Sequence, residues 1–129
     1  VIGDSSVQAG GVRRVLLCSG KVYHDLAPAR ERLGRTDAAI VRIERLYPVP
    51  SEELTAVLAA FPADAELCWV QDEPANQGPW PFMALNLPAI LGGRPLRAIS
   101  RASSSSPAVG SAKLHEREQI ALIEAAFAD

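Results

Sequence analysis

Two cysteines among 129 residues, Cys18 and Cys68, with no CxxC spacing, offer neither a disulfide framework nor a thiol redox pair. Both fall in short apolar runs, so reduced core thiols in a cytoplasmic protein are expected. An excess of basic charge is also missing. Lys and Arg number 13 against 15 Asp and Glu, a net charge of -2, so no basic field would gather nucleic acid or anionic lipid. No apolar run approaches the roughly 20 residues that cross a bilayer, and no basic segment followed by an apolar one marks a signal peptide. Membrane and nucleic acid are therefore not expected as partners.

Several chemical motifs are absent as well. A GxxxxGK[ST] loop would need glycine at 15 and a hydroxyl at 22, where the chain has Val15 and Val22, and there is no GxGxxG. Ser103, Ser104, Ser105 and Ser106 precede His115, but no GxSxG elbow strains any serine. His24 and His115 lack cysteine or carboxylate neighbours at ligand spacing, so a metal site is not expected.

What is present is regular from residue 13 onward. Apolar runs of four to eight residues alternate with helical periodicity, predicting βαβαβαβα. Strands are expected at 14–18, 38–43, 66–71 and 96–100. The first helix should turn Val22, Leu26, Ala29 and Leu33 inward, with Pro28 kinking it or marking its start. Ser51 should cap the second, with Glu52 and Glu53 at its positive end and Leu54, Val57, Leu58 and Phe61 inward. A third helix is expected over 82–91, ending at Gly92 and Gly93. A serine-rich loop over 101–111 leads to a fourth over 112–128, burying Ile120, Ile123 and Phe127. The opening VIGDSSVQAGG has no periodicity, and with Val1 in place of Met, residues 1–12 read as a linker from a longer chain. Residues 13–129 read as one domain.

Strands apolar on both faces and alternating with helices predict a three-layer α/β/α fold around a mainly parallel sheet of four to five strands. Ligands of such sheets bind at the strands' carboxyl ends, where strand order reverses. That rule selects Ser19-Gly20-Lys21, Glu44-Arg45, Gln71-Asp72-Glu73 and Arg101. Gly20 opening a helix with Lys21 behind it could hold an anion. Asp72 and Glu73, as strand neighbours, point to opposite faces and do not form an acid/base pair. On these residues the domain has no self-sufficient active site.

The strings RRVLLCSGKVYHDL, AAIVRIERLYPVP, WVQDEPANQGPWPFM and ISRASSSSPAVGSAKLHEREQ resemble, in order and spacing, the C-terminal, transketolase C-terminal-like domain of the thiamine-diphosphate-dependent decarboxylase component of 2-oxoglutarate dehydrogenase. The resemblance covers residues 13–127 and is closest to the actinobacterial form, whose polypeptide also carries an acyltransferase-like domain. It implies an enzyme that decarboxylates 2-oxoglutarate on thiamine diphosphate and Mg²⁺ and passes the succinyl group to a lipoyl-bearing acyltransferase in the citric acid cycle. This domain would hold neither cofactor nor metal. It would pack the homodimer, border the thiamine-binding domains and help form a site where acetyl-CoA activates. The residues implied for that site are Ser19, Lys21, Gln71 and Arg101; where relatives usually have a second arginine the chain has Ala102, and His24 and Asp72 stand for a tyrosine and a glutamate.

In WVQDEPANQGPW, Gln71, Asn76 and Gln77 would supply hydrogen-bonding groups at a domain junction. Trp69, Trp80 and the following Phe82 would supply apolar area. The blander reading has Trp80 covering the local core and the amides in water. Two functions stand: the regulatory and dimer-packing domain of an oxoacid dehydrogenase, or a free-standing α/β module binding a nucleotide or CoA-like ligand.

Overall fold

The computed structural model describes residues 1–105 and 110–129; part of the serine-rich loop expected over 101–111, including Ser106, lies outside them. Four strands, β1 (Arg14–Cys18), β2 (Ala38–Arg42), β3 (Glu66–Pro74) and β4 (Leu96–Arg101), alternate with α1 (Tyr23–Leu33), α2 (Ser51–Leu58) and α3 (Trp80–Ile90), and α4 (Ala112–Phe127) closes the chain. Every pairing is parallel and the order is β2-β1-β3-β4. The α/β, three-layer expectation is met.

The period-two alternation of side chains sorts the strands' apolar residues into two cores. Val15, Leu17, Ala39, Val41, Leu67 and Trp69 face Leu54 and Leu58 of α2 and Met83 and Leu87 of α3. On the other face, Leu16, Cys18, Ile40, Cys68, Val70 and Ile99 meet Leu26 and Ala29 of α1 and Leu122, Ile123, Ala126 and Phe127 of α4. The chain moves from β1 to β2 in one direction and from β2 past β1 to β3 in the other. Right-handed crossovers in opposite directions must lie over opposite faces, which accounts for α1 and α2 being apart. Both cysteines are free and buried. Burial pushes the Cys18 thiol up to about 12 and the Cys68 thiol up to about 11.

Several local expectations change. α1 starts at Tyr23, after a 3₁₀ turn over Gly20–Val22, and runs through Pro28, so the proline does not mark its start. Leu33, expected inside, is 51% exposed beside the C-cap Gly34, where the helix has turned it past the sheet. Ser51 is the first helical residue of α2, not its cap. Pro50 holds the cap position and no side chain caps the end. Ile120 is 52% exposed, and Leu122 and Ala126 take the inward positions beside Ile123 and Phe127. β3 runs on to Pro74, through a register shift between Val70 and Pro74.

Residues 1–12 lie against the sheet. Ile2 bridges Arg42 on the β2 edge, and Val12 is buried. The Asp4 carboxylate is ion-paired to Arg30 and accepts from the Ile40 amide at 2.8 Å and the Ser6 hydroxyl at 2.5 Å.

Candidate functional site

Strand order reverses between β1 and β3, and the turns leaving their carboxyl ends face each other there. Ser19 ends the first in an extended conformation, half-buried, with no side-chain cap bond. Gly20 adopts φ 76°, a left-handed value that costs glycine little, and so redirects the chain into the 3₁₀ turn. Lys21 Nζ then reaches across the switch point to Asp72 Oδ2 at 3.0 Å. That hydrogen bond, with the carboxylate's charge, raises the Lys21 pKa. Its side chain is 79% exposed, so the pair contributes little to stability and its partner can change.

Asp72 is where three more elements meet. Its Oδ1 accepts from Gln119 Nε2 of α4 at 2.8 Å, and the same nitrogen donates to Asp25 Oδ2 of α1 at 2.9 Å. Its backbone carbonyl accepts from Arg101 Nε of β4 at 2.8 Å. The remaining Arg101 contacts go to α4: Nη1 to Glu118 Oε2 at 2.8 Å and Nη2 to Gln119 Oε1 at 2.7 Å. Lys21 and Arg101 therefore stand together at the switch point, one solvated and one with only 8% of its side chain exposed. Each is held by a carboxylate of this chain.

Gln71 supports this edge from inside. It is 2% exposed, and its Oε1 accepts from Trp69 Nε1 at 3.0 Å and the Trp80 amide at 2.7 Å. Its Nε2 donates to the carbonyls of Glu73, Pro74 and Gln77 at 3.2, 3.0 and 2.9 Å. One side-chain amide thus organises the whole turn between β3 and α3. At the turn's surface, Asn76 pairs both ways with the Ser104 backbone, donating to its carbonyl at 2.8 Å and accepting from its amide at 3.0 Å, and Gln77 donates to the same carbonyl at 2.8 Å. The turn therefore holds the start of the loop that follows Arg101.

Of the expected site residues, Lys21 and Arg101 converge on Asp72, Ser19 flanks them, and Gln71 acts from behind. Glu44, from the second of the four selected turns, pairs with Arg42 at 2.7 Å and lies on the far side of β1 from β3. Trp69 is fully buried, so it supplies core and not surface area. Trp80 and Phe82 are half-buried against the same core, and Phe82 stacks edge-on to the 79% exposed Tyr47 at 6.1 Å. Asp25, Glu118 and Gln119 were not anticipated. Glu118 and Gln119 are the EQ closing SAKLHEREQ and Asp25 lies in RRVLLCSGKVYHDL, but their meeting depends on where α4 docks.

The sequence is similar to those of known proteins. A family model described as 2-oxoglutarate dehydrogenase C-terminal matches residues 1–127. The chain is 48% identical over 98% of its length to the 2-oxoglutarate dehydrogenase E1/E2 component of Corynebacterium glutamicum, covering 11% of that protein. It is 44% identical over 89% of its length to the multifunctional 2-oxoglutarate metabolism enzyme of Mycolicibacterium vanbaalenii, covering 9%. With the 2-oxoglutarate dehydrogenase E1 component of Cupriavidus necator, identity is 43% over 99% of the chain and 14% of the relative. The chain therefore spans only a small part of these relatives, and by family model and identity alike it belongs to the 2-oxoglutarate dehydrogenase C-terminal family.

Proposed function

We propose that the chain is the C-terminal domain of a thiamine-diphosphate-dependent 2-oxoglutarate dehydrogenase, regulating it and packing its homodimer. The whole enzyme would decarboxylate 2-oxoglutarate and pass the succinyl group to a lipoyl-bearing acyltransferase, as the family resemblance implies; the relatives are named 2-oxoglutarate dehydrogenase components. Thiamine diphosphate, with Mg²⁺, supplies the carbanion chemistry of that reaction from other domains. In this reading the domain holds neither group. Among the described residues no three His, Cys, Asp or Glu side chains gather as metal ligands, and Asp72 and Glu118 are engaged by Lys21 and Arg101.

The observation that carries the regulatory reading is the convergence of Lys21 and Arg101 on Asp72 across the switch point. A buried guanidinium with a fixed fork and a mobile ammonium suit the phosphate oxygens of a ligand such as acetyl-CoA. Ser19 would border that ligand, and Gln71 would hold the β3 turn beneath it. A neighbouring domain would complete the pocket. Loss of one charge-assisted contact costs about 1.5 to 3 kcal/mol, or roughly ten- to a hundredfold in affinity. In the full-length enzyme, Arg101→Ala should raise the half-activating acetyl-CoA concentration by that factor. Identical activation curves for wild type, Arg101→Ala and Lys21→Ala would remove the site.

The dimer reading rests on α3, whose sequence WPFMALNLPAI carries no charge. Leu85, 84% exposed, lies three residues along α3 from Phe82, whose ring meets that of Tyr47. A second copy of the domain is the occupant we assign to that face, which has the apolar centre of homodimer interfaces.

A further inference from the structure

Helix α4 is secured unevenly along its length. Its apolar anchors are Leu122, Ile123, Ala126 and Phe127, all in the second half. Residues 110–117 are exposed throughout, Leu114 among them at 45%. Among the described residues, the polar contacts from the first half of the helix to the body of the domain run through Glu118 and Gln119; both meet Arg101, and Gln119 also donates to Asp25 and Asp72.

The two members of the Glu118–Arg101 pair differ in freedom. Arg101 has 8% of its side chain exposed and Glu118 has 34%. A buried guanidinium left without an anion is strongly unfavourable, whereas a carboxylate at the rim regains water when it leaves. Of the two, the carboxylate is therefore the member that can leave at lower cost.

We infer that Glu118 is a removable internal anion, which holds Arg101 until a phosphate-bearing ligand takes its place, while Gln119 keeps α4 docked through Arg101, Asp72 and Asp25. This rests on the effector reading above and adds a mechanism to it. The incoming phosphate oxygen takes the Nη1 donor while Nε keeps its bond to the Asp72 carbonyl, so the guanidinium need not move. Lys21, already solvated, turns from Asp72 to the same ligand.

The test uses the full-length enzyme with acetyl-CoA as probe, read by calorimetric titration. Glu118→Gln removes the competing charge and keeps the side chain's shape, so binding should tighten about tenfold, ~1.4 kcal/mol. Desacetyl coenzyme A should show the same gain, because the exchange concerns phosphate. Unchanged or weaker binding by Glu118→Gln, with Arg101→Ala still weakened, would overturn the inference and leave the effector site standing. Unchanged binding by both Arg101→Ala and Lys21→Ala would remove the site and the inference together.

Discussion

Gln71 is the residue on which the β3–α3 turn depends. It satisfies two donors and three carbonyls at once, so a side chain without an amide leaves buried groups unpaired. Gln71→Leu should destabilise the domain by about 3 kcal/mol, a small multiple of the roughly 1 to 3 kcal/mol for one orphaned group, and chemical denaturation followed by tryptophan fluorescence measures it. The same turn constrains Gly78. Its φ is 61°, and an added Cβ would lie 2.7 Å from Glu73 Oε2 and 2.9 Å from Glu73 Cβ. Gly78→Ala should cost about 1 to 3 kcal/mol in the same assay, since backbone strain and a close contact combine. The amide-rich string was recognisable as a set of hydrogen-bonding groups, but whether they faced a partner or their own backbone depended on the path of the turn.

At the scale of elements, the N-terminal segment offers a test of its hold on β2. Asp4 is pulled two ways: burial raises its pKa, while bonds from Ser6, the Ile40 amide and Arg30 lower it and prevail. A carboxyl whose folded pKa lies below the unfolded value of 3.8 adds stability above that pH and loses it as pH falls through the lower folded value. Asp4→Asn should therefore narrow the stability difference between pH 6 and pH 3, compared by urea denaturation. An equal loss in wild type and variant would show that Asp4 is not the group responsible. The strands and helices were readable from periodicity, because burial on both faces leaves continuous apolar runs and one-faced helices leave a 3.6-residue repeat. Errors fell where another element set the exposure: Leu33 and Ile120 suit the helical repeat but lie beyond the surface that covers their helices.

Over the whole molecule, the uncharged α3 is the face with most to gain from a partner. Leu85→Glu places a charge at its centre and should shift full-length enzyme toward monomer in sedimentation experiments while moving the melting temperature by less than Trp80→Ala, because Leu85 is 84% exposed whereas Trp80 packs on the core. A large melting change without dissociation would assign Leu85 to the fold instead.

The sequence alone determined the class of fold, the sheet's parallel character and the family, because these depend on local periodicity and on strings such as EPANQG and SAKLHEREQ that sit in one stretch of chain. The strand-end rule selected the turns that hold Lys21 and Arg101 among others, and the family resemblance implied these two as site residues. Only the tertiary structure decided that Asp72 joins them, that Gln71 is buried, and that Glu118 and Gln119 from the last helix occupy Arg101. Those contacts join residues far apart in sequence, and their geometry is set by strand order and by how α4 docks, neither of which periodicity encodes.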